Sequence, residues 1–157
     1  MTSWLLFFHL LGAVLFFSGA TVAGVGQLVA LRRERPSEVA LLLGVTRWGV
    51  PIVGIGALLT IAFGAALVAH IPYYGFDQAW IEWAIGLWFA AMVVGGIGGR
   101  PARHTRELAE RLARAGDRPS EELARRVRDP LSLALSFASG AILVAVLALM
   151  VWKPGVS

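Results

Sequence analysis

The side chains of this sequence that are best suited to bind a cofactor are those of two histidines. His9 lies in the first long apolar run, and His70 lies at the end of the second. Imidazole nitrogens bind haem iron, and two histidines at similar depth on adjacent membrane helices would hold the iron from both faces. A histidine inside a bilayer is costly unless it is partnered, and such residues often mark function. The pattern predicts His9, with His70 as its candidate partner, as a binding site for haem b.

A structural role accounts for the same two histidines. His9 lies about five residues inside Trp4, where its ring could hydrogen-bond a neighbouring helix or reach the lipid headgroups. His70 directly precedes a turn that contains Pro72, and an imidazole at the membrane surface there needs no ligand. Both interpretations stay open at this point.

Other catalytic and metal-binding patterns do not occur in the sequence. The chain contains no cysteine, which excludes disulfides, thiolate ligands and a cysteine nucleophile. His104 and Gln27 have no metal-ligand spacing to other residues, and no HExxH, phosphate loop, serine triad or paired intramembrane carboxylates are present. The sequence therefore favours a protein without catalysis of its own.

The composition is that of a chain folded in lipid. Hydrophobic residues make up 57% of the sequence and charged residues only 15%, whereas soluble domains carry about 45–50% and about 25%. About 20 apolar residues suffice to cross the hydrocarbon core. We predict a single transmembrane domain over residues 1–157, with membrane spans at about 4–31, 47–70, 79–99 and 130–152.

A basic segment at residues 100–129 sets the orientation. It contains nine arginines, and 13 of the 14 basic residues of the chain lie after the first or the third span, with only Lys153 elsewhere. Basic connections stay on the cytoplasmic side of a membrane, which explains the positive charge without nucleic acid as a partner. We predict that both termini lie outside, and that residues 100–129 form a cytoplasmic helical hairpin broken at residues 116–119.

Helix-start residues recur along the chain. The tetrapeptide RPSE occurs at residues 35–38 and again at 118–121, each time on the predicted inner side. Ser37 and Ser120 are predicted N-caps, and Asp129 followed by proline is predicted to cap the last span. The repeat fits either an old two-plus-two duplication or helix-start chemistry alone.

Small residues predict how the spans pack. At 100° per residue, one face of the first span carries His9, Gly12, Phe16, Gly19, Ala20, Ala23 and Gln27. The other spans carry small residues four apart, which allow close helix contact in lipid; these are Gly56, Thr60 and Gly64, then Ala91, Gly95 and Gly99, then Ser132, Ser136 and Gly140. The predicted fold is an all-α, up-down four-helix transmembrane bundle.

Several short motifs resemble those of a bacterial family of predicted four-span integral membrane proteins of unknown function. The motifs are residues 8–14 (FHLLGAV), residues 18–19 (SG), Asp129 and residues 149–154 (LMVWKP). That family is remotely similar to the copper-resistance D-type membrane domain and to the four-span, haem-containing protoporphyrinogen oxidase. The resemblance to the oxidase implies a haem ligand at His9. The oxidase also uses a lysine in a later span, whereas the lysine of this chain is Lys153, at the outer end of the last span.

Two functional hypotheses follow. The first is a scaffold, accessory subunit or binding module of a prokaryotic cytoplasmic membrane, whose partners are the lipid bilayer and other membrane proteins or a second copy of the chain. The second is a haem-binding membrane redox protein that uses His9, with or without His70.

Overall fold

The computed structural model of the protein describes residues 2–154 and contains five α-helices in that range. These are α1 (Thr2–Ala30), α2 (Pro36–His70), α3 (Ala79–Arg114), α4 (Glu121–Val127) and α5 (Pro130–Trp152). Four stretches are long and apolar enough to cross a membrane: α1, α2, α3, and residues 121–152, which end with α5. The predicted all-helical transmembrane bundle is confirmed.

Two of the helices extend well beyond the predicted spans on one side. α2 begins at Pro36, where the missing N–H of proline costs no hydrogen bond, and continues through Pro51. α3 continues through Pro101 to Arg114, so the first half of the basic segment is an extension of the third span. The second half is the short helix α4.

The two RPSE tetrapeptides occupy different positions relative to their helices. Ser120 caps α4 as predicted, since its side chain accepts a hydrogen bond from the Leu123 N–H. Asp129 likewise caps α5 by accepting from Ser132 N–H. The prediction that Ser37 is an N-cap was wrong, because α2 starts one residue earlier and Ser37 lies inside its first turn. Ser37 instead binds a carboxylate from a distant part of the chain.

Glycines bring the backbones of α1 and α2 into direct contact. A Cβ atom on Gly56 would lie 2.4 Å from the backbone nitrogen of Phe16, and one on Gly12 would lie 2.6 Å from that of Thr60. Farther along, Gly19 and Gly49 meet in the same way. These close approaches confirm the small-residue face predicted for the first two spans. In lipid, where no hydrophobic effect drives helices together, such close packing stabilises the pair through dispersion contacts.

The contact between α3 and α5 uses the predicted Ala91, Gly95 and Ser132, but Gly98 and Ser139 take the places predicted for Gly99 and Gly140. A Cβ atom on Gly98 would lie 3.0 Å from the Leu135 Cβ, and one on Gly95 would lie 2.9 Å from the Ser139 Oγ. The predicted Gly99 and Gly140 have nothing within 4 Å. The predicted stripe was therefore partly wrong, because a spacing of four residues does not by itself say which of two adjacent glycines faces the partner helix.

A central apolar cluster joins the two helix pairs. It takes Phe16 from α1, Ala57 from α2, Trp88 and Ala91 from α3 and Leu143 from α5, and each of these is buried. The four spans thus share one core.

Polar contacts at the two ends of the bundle establish the up-down order of the helices. At one end, Asp117 after α3 accepts hydrogen bonds of 2.7 Å from both the N–H and the hydroxyl of Ser37 in α2. At the other end, Lys153 after α5 donates to the Tyr74 hydroxyl in the α2–α3 turn, at 2.6 Å. We call these the basic end and the aromatic end.

A second apolar cluster closes the basic end. Its buried members come from four helices and are Ala30, Val39, Leu43, Leu108, Ala109, Leu123 and Val127. Asp117 lies beside this cluster in the loop after α3 and has a φ of 53°, a left-handed conformation that aspartate tolerates better than most residues. The basic segment is therefore folded onto α1 and α2.

The glycine contact predicts a position-specific effect of one methyl group. Gly56→Ala forces a Cβ into the backbone of α1 and should destabilise the protein by about 1–3 kcal/mol, as overpacking does. Gly54→Ala is the matched control, since nothing lies within 4 Å of a Cβ at Gly54. Unfolding by SDS in mixed micelles measures both variants, and equal stability of the two would contradict the contact.

The Asp117 contact predicts a pH-dependent loss of stability. Hydrogen bonds from the hydroxyl and backbone N–H of Ser37 lower the pKa of Asp117. A carboxylate with a lowered folded-state pKa stabilises the protein above its unfolded pKa of about 3.9 and loses that effect as the pH falls through the folded value. Asp117→Asn tolerates the same backbone conformation but removes the charge, so it should lower the unfolding midpoint at pH 7.

The control for Asp117→Asn is Glu34→Gln, an exposed carboxylate in the α1–α2 connection. Thermal unfolding of the wild type and both variants in one detergent should show a deficit for Asp117→Asn at pH 7. This deficit should disappear well below the unfolded pKa of aspartate, about 3.9. A deficit that is the same across the whole range would show that the carboxylate charge is not what Ser37 recognises.

Candidate functional site

His9 makes a hydrogen bond between two spans. Its Nδ1 lies 2.9 Å from the backbone carbonyl oxygen of Thr60 in α2. A carbonyl only accepts, so Nδ1 carries the proton. The ring rests on Gly64, where a Cβ atom would lie 3.0 Å from Nδ1. The absent side chain at Gly64 thus makes room for the imidazole.

The other ring nitrogen of His9 is available. In the tautomer that donates from Nδ1, Nε2 keeps its lone pair, and among residues 2–154 it has no hydrogen-bond partner. Histidines that bind metals are commonly oriented in this way, with one nitrogen donating to a carbonyl and the other facing the metal. The arrangement would let His9 hold a metal through Nε2, and it equally suits a purely structural hydrogen bond.

His70 lies at the end of α2, away from the contact between His9 and Thr60. It is the last residue of α2, it is exposed, and it follows Gly64 by six residues. At 1.5 Å per residue, that places it about 9 Å farther along α2 than the point where His9 packs. Haem held between the two imidazoles would require them to lie at similar depths. Binding of haem by His9, with or without His70, stays a prediction.

Three serines of α5 also link helices. Ser132 Oγ donates to the Gly98 carbonyl at 2.9 Å, and Ser139 Oγ donates to the Ala91 carbonyl at 3.0 Å, both between α5 and α3. Ser136 Oγ donates to Gln27 Oε1 at 3.2 Å and so connects α5 to α1. Gln27 therefore acts in packing between the two helix pairs.

The three tryptophans in the first half of α3 divide into two groups. Trp83 is exposed, whereas Trp80 and Trp88 are buried in the bundle. Trp80 Nε1 donates to Gln78 Oε1 at 3.0 Å. Trp88 stands next to Phe16 in the central cluster, and its indole nitrogen is buried without a hydrogen-bond partner in the described part of the chain.

A basic groove lies at the other end of the molecule from His9. It is open to the surface and has a volume of about 770 Å³. Its lining comes from α3, α4 and the start of α5, and consists of Arg100, Pro101, His104, Thr105, Glu122, Arg125, Arg126 and Asp129. The sequence showed the arginines but not the groove, which exists because α4 folds back beside the extension of α3.

Two glutamates near the groove pair with arginines in the same helix. Glu122 pairs with Arg126 as their spacing predicts, at 2.8 Å. Glu107 pairs with Arg103, one turn before it, and this contact lowers the pKa of the Glu107 carboxyl. Exposed pairs of this kind add little stability. Among residues 2–154, no group of three or more His, Cys, Asp or Glu side chains could hold a metal ion.

Comparison with known proteins identifies a family for the whole bundle. Residues 3–154 match one protein family, and this range includes all five helices apart from Thr2. Searches of curated proteins and of solved structures found no match. Because the family match covers nearly the whole chain, this protein is a member of the family described as predicted integral membrane protein (DUF2269).

Proposed function

We propose that this chain is a scaffold, accessory subunit or binding module of a prokaryotic cytoplasmic membrane, without catalysis of its own. One observation carries the proposal: several polar side chains inside the spans hold helices together. His9, Gln27, Ser132, Ser136 and Ser139 each have a hydrogen bond to a carbonyl or a side chain of another span. A transporter or proton carrier instead needs ionisable groups facing a pathway near the midplane.

The orientation that we propose places the basic end in the cytoplasm. Arginines in the connections after α1 and α3 are retained on that side during insertion. The aromatic end then faces outward together with both termini. In this orientation the cell interior meets a folded basic surface formed by α4, the end of α3 and the start of α2.

Such a surface suits attachment of a partner. The cluster of buried apolar residues beneath α4 and the bond between Asp117 and Ser37 hold its shape. Arg111 and Arg114 are exposed on the end of α3. Exposed arginines on a rigid support contribute to specific recognition of acidic surfaces. Candidate partners are other membrane proteins or a second copy of the chain.

Co-purification tests this function. From native membranes in a mild detergent, the wild-type chain should elute in a stoichiometric complex with another membrane protein or with itself. Charge reversal by Arg111→Glu with Arg114→Glu should release the partner, whereas Arg47→Glu, an exposed arginine on α2, should not. Elution of the wild type as a single chain at native expression levels would contradict the proposal.

A second function is favoured by the orientation of the His9 ring. Nδ1 is held by the Thr60 carbonyl, and Nε2 is the atom through which His9 would hold haem iron. Haem bound there would supply one-electron transfer. The residues of this chain would then contribute the ligand His9, its fixed orientation, and an apolar environment from the adjoining helices.

An absorption spectrum distinguishes the two functions. If His9 binds haem, protein expressed with ample haem should show a Soret band, and His9→Ala should remove it. His70→Ala is the matched control and should leave the band unchanged, because His70 lies about 9 Å away along the helix. Absence of a Soret band in the wild type would eliminate the redox function, and a band that survives His9→Ala would eliminate His9 as the ligand.

A further inference from the structure

Some charged side chains of the basic groove have a hydrogen-bond or ion-pair partner in the protein, and others do not. Glu122 accepts from Arg126 at 2.8 Å, and Asp129 Oδ2 accepts from the Ser132 N–H at 2.9 Å as the cap of α5. Both acids of the groove therefore already have partners. Arg100 and Arg125 line the groove without an ion pair or a side-chain hydrogen bond to any of residues 2–154.

Two guanidinium groups without a carboxylate partner create a site for an anion. Arginine binds phosphate through two parallel N–H donors, and it does so more strongly than it binds neutral acceptors. The N-terminus of α5 reaches the groove at Asp129 and adds the positive end of a helix dipole. The groove is open to the surface and has a volume of about 770 Å³, which leaves room for a headgroup phosphate.

The position of the groove indicates which phosphate it would meet. Ser132 in the first turn of α5 bonds the Gly98 carbonyl, so the start of α5 is level with the end of the apolar part of α3. Arg100 and Asp129 follow directly on the water side of that level. Charged residues at this boundary lie among lipid headgroups. Toward the bilayer, α3 and α5 continue with exposed apolar side chains such as Ile97 and Leu131, against which acyl chains can pack.

We propose that this groove binds the headgroup of an anionic phospholipid, with Arg100 and Arg125 as the phosphate ligands. His104, exposed on α3 one turn after Arg100, borders the same site. The inference goes beyond the proposed scaffold function and is independent of which side of the membrane the basic end faces. The inference requires that the guanidinium groups of both arginines bind the lipid phosphate and have no carboxylate partner in the protein.

Titration of the full-length, detergent-purified chain with phosphatidylglycerol, followed by native mass spectrometry, tests the proposal. Phosphatidylcholine with the same acyl chains is the lipid control. Arg100→Gln with Arg125→Gln should weaken phosphatidylglycerol binding roughly thirtyfold, given the usual contribution of two basic residues at a membrane surface. The protein control is Arg118→Gln with Arg128→Gln, which removes the same charge from exposed arginines of the same segment that lie outside the groove and have no ion pair within residues 2–154.

The proposal is supported if the groove variant loses phosphatidylglycerol and the control pair retains it. Equal loss in both pairs would show a general charge effect and overturn the site. Displacement of the lipid by millimolar inorganic phosphate would also overturn it, because the site would then recognise a free anion. If the glutamine pair does not purify as a folded species, Arg100→Lys with Arg125→Lys replaces it. Lysine cannot form the two parallel bonds, so unchanged affinity in that variant would again contradict the proposal.

Discussion

Hydrocarbon offers no hydrogen-bond partners, and the arrangement of this protein depends on that constraint. Polar side chains inside the spans are costly without partners in the protein, and His9, Gln27 and three serines of α5 find theirs on neighbouring helices. These hydrogen bonds can form because glycines let the helices approach closely. The backbone of Phe16 packs against Gly56, and the ring of His9 packs against Gly64. The same contacts that stabilise the bundle therefore also determine which nitrogen of His9 is left available.

Different interactions stabilise the two ends of the bundle. At the aromatic end, Lys153 is held by the Tyr74 hydroxyl and lies over the rings of Tyr74 and Trp80, at 5.1 and 5.8 Å from their centroids. A lone cation can be kept at a membrane surface in this way. At the basic end, the contact between Asp117 and Ser37 ties the segment after α3 to the start of α2. This contact holds the arginine-rich segment in a folded surface that contains the basic groove.

The sequence predicted the parts of this fold that depend on local chemistry and hydropathy. Four spans, the caps at Ser120 and Asp129 and the inward face of the first span follow from composition, capping preferences and periodicity. The extension of α3 through Pro101 was not predicted, because a proline usually ends a helix unless tertiary contacts support it. The partner of Ser37 and the basic groove could not be predicted either, since Ser37 and Asp117 are 80 residues apart and meet only after the helices have packed.

Labelling of single cysteines tests the central claim, that four helices cross the membrane and hold both basic connections on one face. The chain contains no cysteine, so each introduced thiol reports alone. Arg33→Cys and Arg111→Cys should react with a membrane-impermeant maleimide only in inverted vesicles, whereas Phe76→Cys in the α2–α3 turn should react in intact cells. Reaction of the thiols at Arg33 and Arg111 from opposite sides of the membrane would contradict the account.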